Sequence, residues 1–184
     1  MLSKIYLMIF IMIISSITLR ASVYDDDLLS IFSKLMPRIV LLSSQKEKIN
    51  NQINICILHS TVDEKVANLL IEKTKDNYPK GIRNYQIKFI KTTYTNLNAC
   101  KNSSLAFLLN SEKKNIKQAL DFSRNNTILT ISHDAKLLNL GVDISMFVGR
   151  KITPYINVNS IQRKNIQLNN NLLRISKLYN DEVK

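Results

Sequence analysis

Behind a single lysine, Lys4, the chain is apolar without a break from Ile5 to Ile14 and continues weakly so through Ser15, Ser16, Ile17, Thr18 and Leu19 to the small residue Ala21. A positive start, an apolar run too short for a bilayer span of about 20 residues and a small residue at its end have the layout of a secretory leader. The expected division is a signal peptide over 1–21 and one domain over 22–184, with an uncleaved N-terminal anchor as the alternative. Next, Asp25, Asp26 and Asp27 suit the positive end of a helix, and Leu28, Leu29, Ile31, Phe32 and Leu35 recur at helical spacing until Pro37. This predicts an amphipathic helix from Asp25 to Leu35, followed by a polar loop from Ser43 to Gln52.

From there the pattern switches between short apolar runs and helical stripes. Ile53 to Leu58 reads as a buried strand, and Thr61-Val62-Asp63-Glu64 fits a capping box opening a helix with Val66, Leu69, Leu70 and Lys73. Tyr85 to Ile90, Leu105 to Leu109 and Thr127 to Ile131 read as further strands. A helix opening at Ser111 carries Ile116, Ala119 and Leu120, and a short one from Asp134 to Leu140 is stopped by Gly141. Such alternation predicts an α/β fold with a mostly parallel sheet flanked by helices. Toward the end, Ile144 to Val148 and Thr153 to Val158 are placed to pair as an antiparallel hairpin across Gly149-Arg150-Lys151. Leu168, Leu172, Ile175 and Tyr179 then form one stripe of a terminal helix.

Composition narrows the class. The 184 residues are 45% hydrophobic with three glycines and three prolines, which suits a packed core. The net charge of +12 stays positive without Lys4 and Arg20. The lysines and arginines are scattered with no aromatic residues between them, and an exported chain has little access to nucleic acid, so a solvated basic surface is the reading. There is no G-x-S-x-G, no H-E-x-x-H and too little glycine for a phosphate loop, so no enzyme and no cofactor are expected.

Cys56 and Cys100 are the two cysteines, an even number in a chain bound for an oxidising compartment. Bridged, they would close a loop worth about 3–4 kcal/mol in the chain-entropy model. Unbridged, Cys56 is a buried thiol and Cys100 an exposed one, and a redox-responsive role is a third reading. His59 and His133 each follow a predicted strand, which puts both near the carboxyl edge of a parallel sheet, where open α/β folds take ligands. They are candidate ligand-binding residues, with ordinary strand-end histidines as the alternative and no metal expected.

The stretch Thr127-Ile-Leu-Thr-Ile-Ser132, then Gly141, Tyr155-Ile-Asn-Val-Asn159, Arg163 and Leu172-Leu-Arg-Ile-Ser-Lys-Leu178 resembles the YfiR/HmsC family. In that family a "TVSD" strand end, a glycine, an "EINL" strand and a closing "S-x-x-LLxLA" helix occur in this order. The strand from Ile53 to Leu58 stands where the family has "ICVLG", His133 stands at the "TVSD" aspartate, and Asn165 stands where a glycine precedes the closing helix. The family's "F-x-E-W-P" end of the first helix is here Leu35-Met36-Pro37-Arg38.

The resemblance implies a Cys56–Cys100 bridge and a periplasmic, non-enzymatic protein that restrains an inner-membrane signalling enzyme by binding its periplasmic part. The expected partner is a diguanylate cyclase or a sensor kinase, with pairing to a second copy left open. The expected partner-binding residues are Leu28, Leu29, Ile31, Phe32 and Leu35, because the first helix sits beside a free N-terminus. The rival reading is a periplasmic small-ligand receptor using the edge near His59 and His133 and serving a transporter or kinase.

Overall fold

The computed structural model describes residues 24–148 and 152–180. The elements in order are α1 (Asp26–Leu41), β1 (Gln52–His59), α2 (Glu64–Asn77), β2 (Gln86–Thr93), β3 (Leu105–Leu108), α3 (Lys113–Asn125), β4 (Leu129–Ser132), β5 (Ile144–Val148), β6 (Ile152–Asn157), α4 (Val158–Arg163), α5 (Asn170–Ile175) and β7 (Lys177–Tyr179). The expected leader over 1–21 and the Gly149-Arg150-Lys151 turn lie outside the described residues. No helix among the described residues is long and apolar enough to cross a membrane.

The strands form one sheet in the order β2-β1-β3-β4-β5-β6-β7. The first five run parallel, β6 returns antiparallel to β5, and β7 lies parallel to β6. The α/β fold with a mostly parallel sheet is therefore as the residue pattern predicts. The chemistry of the central strands explains it: β3 and β4 are buried at every position and β1 from Ile55 to His59, as befits strands covered on both faces. Helices α1 and α2 cover one face, where Phe32 packs edge-to-face on Phe107 with centroids 4.9 Å apart. Helix α3 covers the other with Ile116, Ala119 and Leu120.

Three local expectations are corrected. Helix α1 does not stop before Pro37 but runs through it to Leu41. The proline removes one backbone donor, yet Met36, Ile39 and Val40 continue the apolar stripe of Leu29 and Phe32 into the core, and that burial outweighs the lost bond. The capping box does not form: Thr61–Asp63 is a 3-10 turn closed by Ser60 Oγ donating to Asp63 Oδ2 at 2.9 Å, and Glu64 reaches out to Lys91 at 2.6 Å instead.

The third correction is the terminal helix. It breaks after Ile175, and Lys177–Tyr179 joins the sheet as β7 because β6 offers an unpaired edge. The Tyr179 hydroxyl bonds the Asn139 side chain and secures the strand. Two turns behave as read: Gly141 ends its helix at φ +104°, and Asn165, where the family carries glycine, adopts φ +53°.

One internal network has no counterpart in the pattern of the sequence. Asp143 and Lys164, both buried, pair at 2.5 Å. The Asp143 carboxylate also accepts from Thr130 N, Thr130 Oγ1 and Ser160 Oγ at 2.6–2.8 Å, while Lys164 Nζ donates to Ile128 O at 2.9 Å. Every charge in it is bonded, which is the condition under which a buried pair is tolerated. Burial lowers the Lys164 pKa from its ordinary value, and the Asp143 carboxylate opposes that shift.

A disulfide joins Cys56 on β1 to Cys100 in the 3-10 turn Leu97–Cys100, tying that strand to the β2–β3 connection across 44 residues. Both sulfurs lie in the core on the α3 side.

Two stability outcomes follow. Lys164→Met leaves Asp143 charged and unpaired in the core and is expected to cost about 3–5 kcal/mol in urea unfolding, with part recovered in Asp143→Asn/Lys164→Met. Replacing Cys56 and Cys100 together by serine is expected to lower the unfolding free energy by about 3–4 kcal/mol, measured without reductant.

Candidate functional site

Order β2-β1-β3 means that the chain leaves β1 toward one side of the sheet and later returns to its other side. The connections diverge at the carboxyl ends of β1 and β3, and a crevice at that point is the usual ligand position of open α/β sheets. Leu58, Leu108 and Ser132 are level in the register, so His59, Leu109 and His133 follow side by side at the edge. The two histidines are thus brought to the same edge, but β3 stands between them, at two strand spacings or about 10 Å. Among the described residues no group of three metal-ligating side chains exists.

His59 is buried, and its Nδ1 donates to the carbonyl of Ser60 at 2.8 Å, a local bond. His133 differs. Its Nδ1 is buried with no hydrogen-bond partner, and its ring packs at 4.4 Å against Tyr24, tilted by 54°. Tyr24 fills the crevice: its side chain is 7% exposed although it lies on no helix or strand, and its hydroxyl oxygen accepts the backbone N–H of Asn110 at 2.6 Å. Burial pushes the Tyr24 phenol pKa well above its ordinary value, and the carboxylates of Asp63 and Asp134 push in the same direction. Asp134 is held by accepting from Lys136 N at 2.9 Å.

The residue pattern had no means of finding Tyr24 or Asn110. One is a lone aromatic ahead of three acids and the other acts through its backbone. Open clefts lie elsewhere, as in the space of about 400 Å³ that Lys117, Arg124 and Arg163 line between α3 and α4.

The five expected partner-binding residues separate. Leu29 and Phe32 are buried in the core at 2% and 0% exposure and are not at the surface. Their apolar stripe is what holds α1 to the sheet. Leu28, Ile31 and Leu35 are half-buried along the margin of the same helix. At the far edge of the sheet Ile152, Ile175 and Leu178 are 47%, 65% and 59% exposed, while Val62, at 78%, stands alone in the turn after β1.

Desolvation holds the His133 pKa below its ordinary 6.5, against the pull of Asp134 and Asp63. Below that pH the unfolded chain binds the proton that the folded one resists. Stability is therefore complete above about 6.5 and is lost as pH falls through the lowered folded value. A lower urea midpoint at pH 5.5 than at pH 7.5 is expected, with the difference reduced in His133→Gln.

Among solved structures, the fold is similar to a conserved domain protein from Vibrio cholerae O1 biovar El Tor (TM-score 0.59, 8% identity, 82% of this chain and 59% of that one). It is also similar to an ABC domain from Streptococcus pneumoniae in complex with L-Trp (0.57, 6%, 82% and 60%). A third is CD0873, a substrate binding protein with adhesive properties from Clostridium difficile (0.58, 7%, 86% and 61%). At these identities the likeness is one of fold, and the chain spans about three fifths of each of those proteins. No curated protein matches the chain in sequence. The YfiR/HmsC-like family model matches residues 41–177, from the end of α1 into β7, and the chain belongs to that family.

Proposed function

We propose that this protein is a periplasmic regulator without catalytic activity that binds the extracytoplasmic part of an inner-membrane signalling protein, a diguanylate cyclase or a sensor kinase, and holds it inactive. The observation that carries the reading is the family match over residues 41–177, which supports a periplasmic regulatory role in general. The leader layout over 1–21 supports export, and a disulfide tying β1 to the β2–β3 connection suits an oxidising compartment.

The surface best suited to the partner is the far edge of the sheet, not the buried stripe of α1. β7 is the last strand, so its outer backbone groups have no strand partner among the described residues. Exposed Ile175, Leu178 and Ile152 surround that edge. An extended partner segment adding to it would gain main-chain hydrogen bonds together with apolar contact.

Deleting the gene in its native host is expected to raise cellular cyclic-di-GMP several-fold, and the wild-type chain to restore it. Ile175→Asp/Leu178→Asp is expected to keep the wild-type melting temperature and fail to restore. No change on deletion would remove the cyclase as target and leave the kinase; full restoration by the double variant would move docking off this edge. Phe32→Ala serves as the contrast, since it should lose about 3–5 kcal/mol of stability and fail by unfolding.

A further inference from the structure

The crevice at the carboxyl ends of β1, β3 and β4 stands where open α/β sheets bind ligands, and a side chain of this protein already occupies it. We propose that the crevice is a binding site for a phenol, and that Tyr24 is its tethered occupant, displaceable by a phenolic ligand supplied from outside. This goes beyond the regulatory reading and stands whether or not the partner named there is correct.

Tyr24 is placed as a ligand is placed. It belongs to no regular element, and the residues that follow it, Asp25, Asp26 and Asp27, are all exposed. It is nevertheless 7% exposed, held by the Asn110 N–H on its hydroxyl and by its ring against His133, and it reaches the outer end of the apolar cluster under α1. A backbone N–H at a strand end discriminates for an oxygen at that position, because leaving it unpaired in a buried crevice is costly. The apolar wall takes the ring.

The crevice also has capacity that Tyr24 does not use. His133 Nδ1 is buried and unpartnered, so the wall offers a hydrogen bond that is still to be made. A second polar group on a free ligand would satisfy it. Asp63 and Asp134 are close enough to act electrostatically on both Tyr24 and His133, which disfavours an anion. The ligand class is therefore a neutral or cationic phenol rather than a phenolic acid. In the intact chain such a ligand competes with a tethered side chain, whose effective concentration is of millimolar order, so occupancy by the free ligand needs either high concentration or a second polar contact.

The test uses the full mature chain carrying Tyr24→Ala, followed by thermal unfolding with p-cresol, toluene and 4-hydroxyphenylacetate. p-Cresol restores the ring and hydroxyl that the substitution removes, with one methyl group more, and is expected to raise the melting temperature saturably, by about 3–6 °C at ten times its dissociation constant. Toluene, which lacks the oxygen for Asn110, and 4-hydroxyphenylacetate, which brings a carboxylate toward Asp63 and Asp134, should each shift it by less than a third as much. The wild-type chain should respond to p-cresol only at concentrations at least tenfold higher. A folded Tyr24→Ala chain that ignores p-cresol, or that responds equally to toluene, overturns the proposal. Should that variant not fold, Tyr24→Val keeps part of the apolar volume and is read in the same way. If neither folds, Tyr24 is an irreplaceable core residue and the proposal is overturned on that ground.

Discussion

Strands β3 and β4 and most of β1 are buried on both faces, and a sheet in that position must be covered from both sides before its ladder is stable. That requirement dictates the rest of the molecule. One face takes α1 and α2, the other takes α3, and the connections between them carry the chain across the sheet edge where β1 and β3 diverge. It also decides what α1 is for. An amphipathic helix could dock elsewhere, but the sheet face under it is apolar and α2 covers only part of it, so Leu29, Phe32, Met36, Ile39 and Val40 pack there. Proline at position 37 is carried along because the stripe on both sides of it is worth more than one backbone bond.

The same geometry creates both places where function can reside. Divergent connections leave a crevice at the carboxyl edge, and Tyr24 enters it from the side of α1. At the opposite end of the strand order the sheet stops at β7, short and flanked by exposed apolar side chains. The crevice that Tyr24 fills and the apolar edge at β7 are separate in space, one at the carboxyl ends of the strands and the other along the last strand. Binding at one can therefore be tested without disturbing the other.

The Asp143–Lys164 pair shows how the antiparallel end is attached to the parallel core. Asp143 precedes β5, Thr130 lies on β4, and Ser160 and Lys164 come from α4 and the turn after it, so one carboxylate ties three segments together. Within a low-dielectric interior a network of this kind is stable only when complete, which makes the position of α4 intolerant of small shifts.

Much of the architecture could be read from residue pattern alone. The apolar runs at Ile53 to Leu58 and Leu105 to Leu109, the helical stripes between them and the stop at Gly141 are local, and period and turn chemistry are local properties. Family resemblance added the Cys56–Cys100 bridge, and Asn165, standing where the family carries glycine, takes a left-handed turn. What the pattern could not supply depends on residues far apart in the chain. Whether an apolar stripe is core or interface depends on what lies beneath it, so Leu29 and Phe32 were equally consistent with either. Whether Lys177 to Tyr179 ends as helix or strand depends on β6 offering a free edge. The pairing of Asp143 with Lys164, and of Tyr24 with Asn110 and His133, joins positions with no periodic relation. Those contacts exist only once the sheet has brought their segments together, and for that physical reason tertiary structure alone decided them.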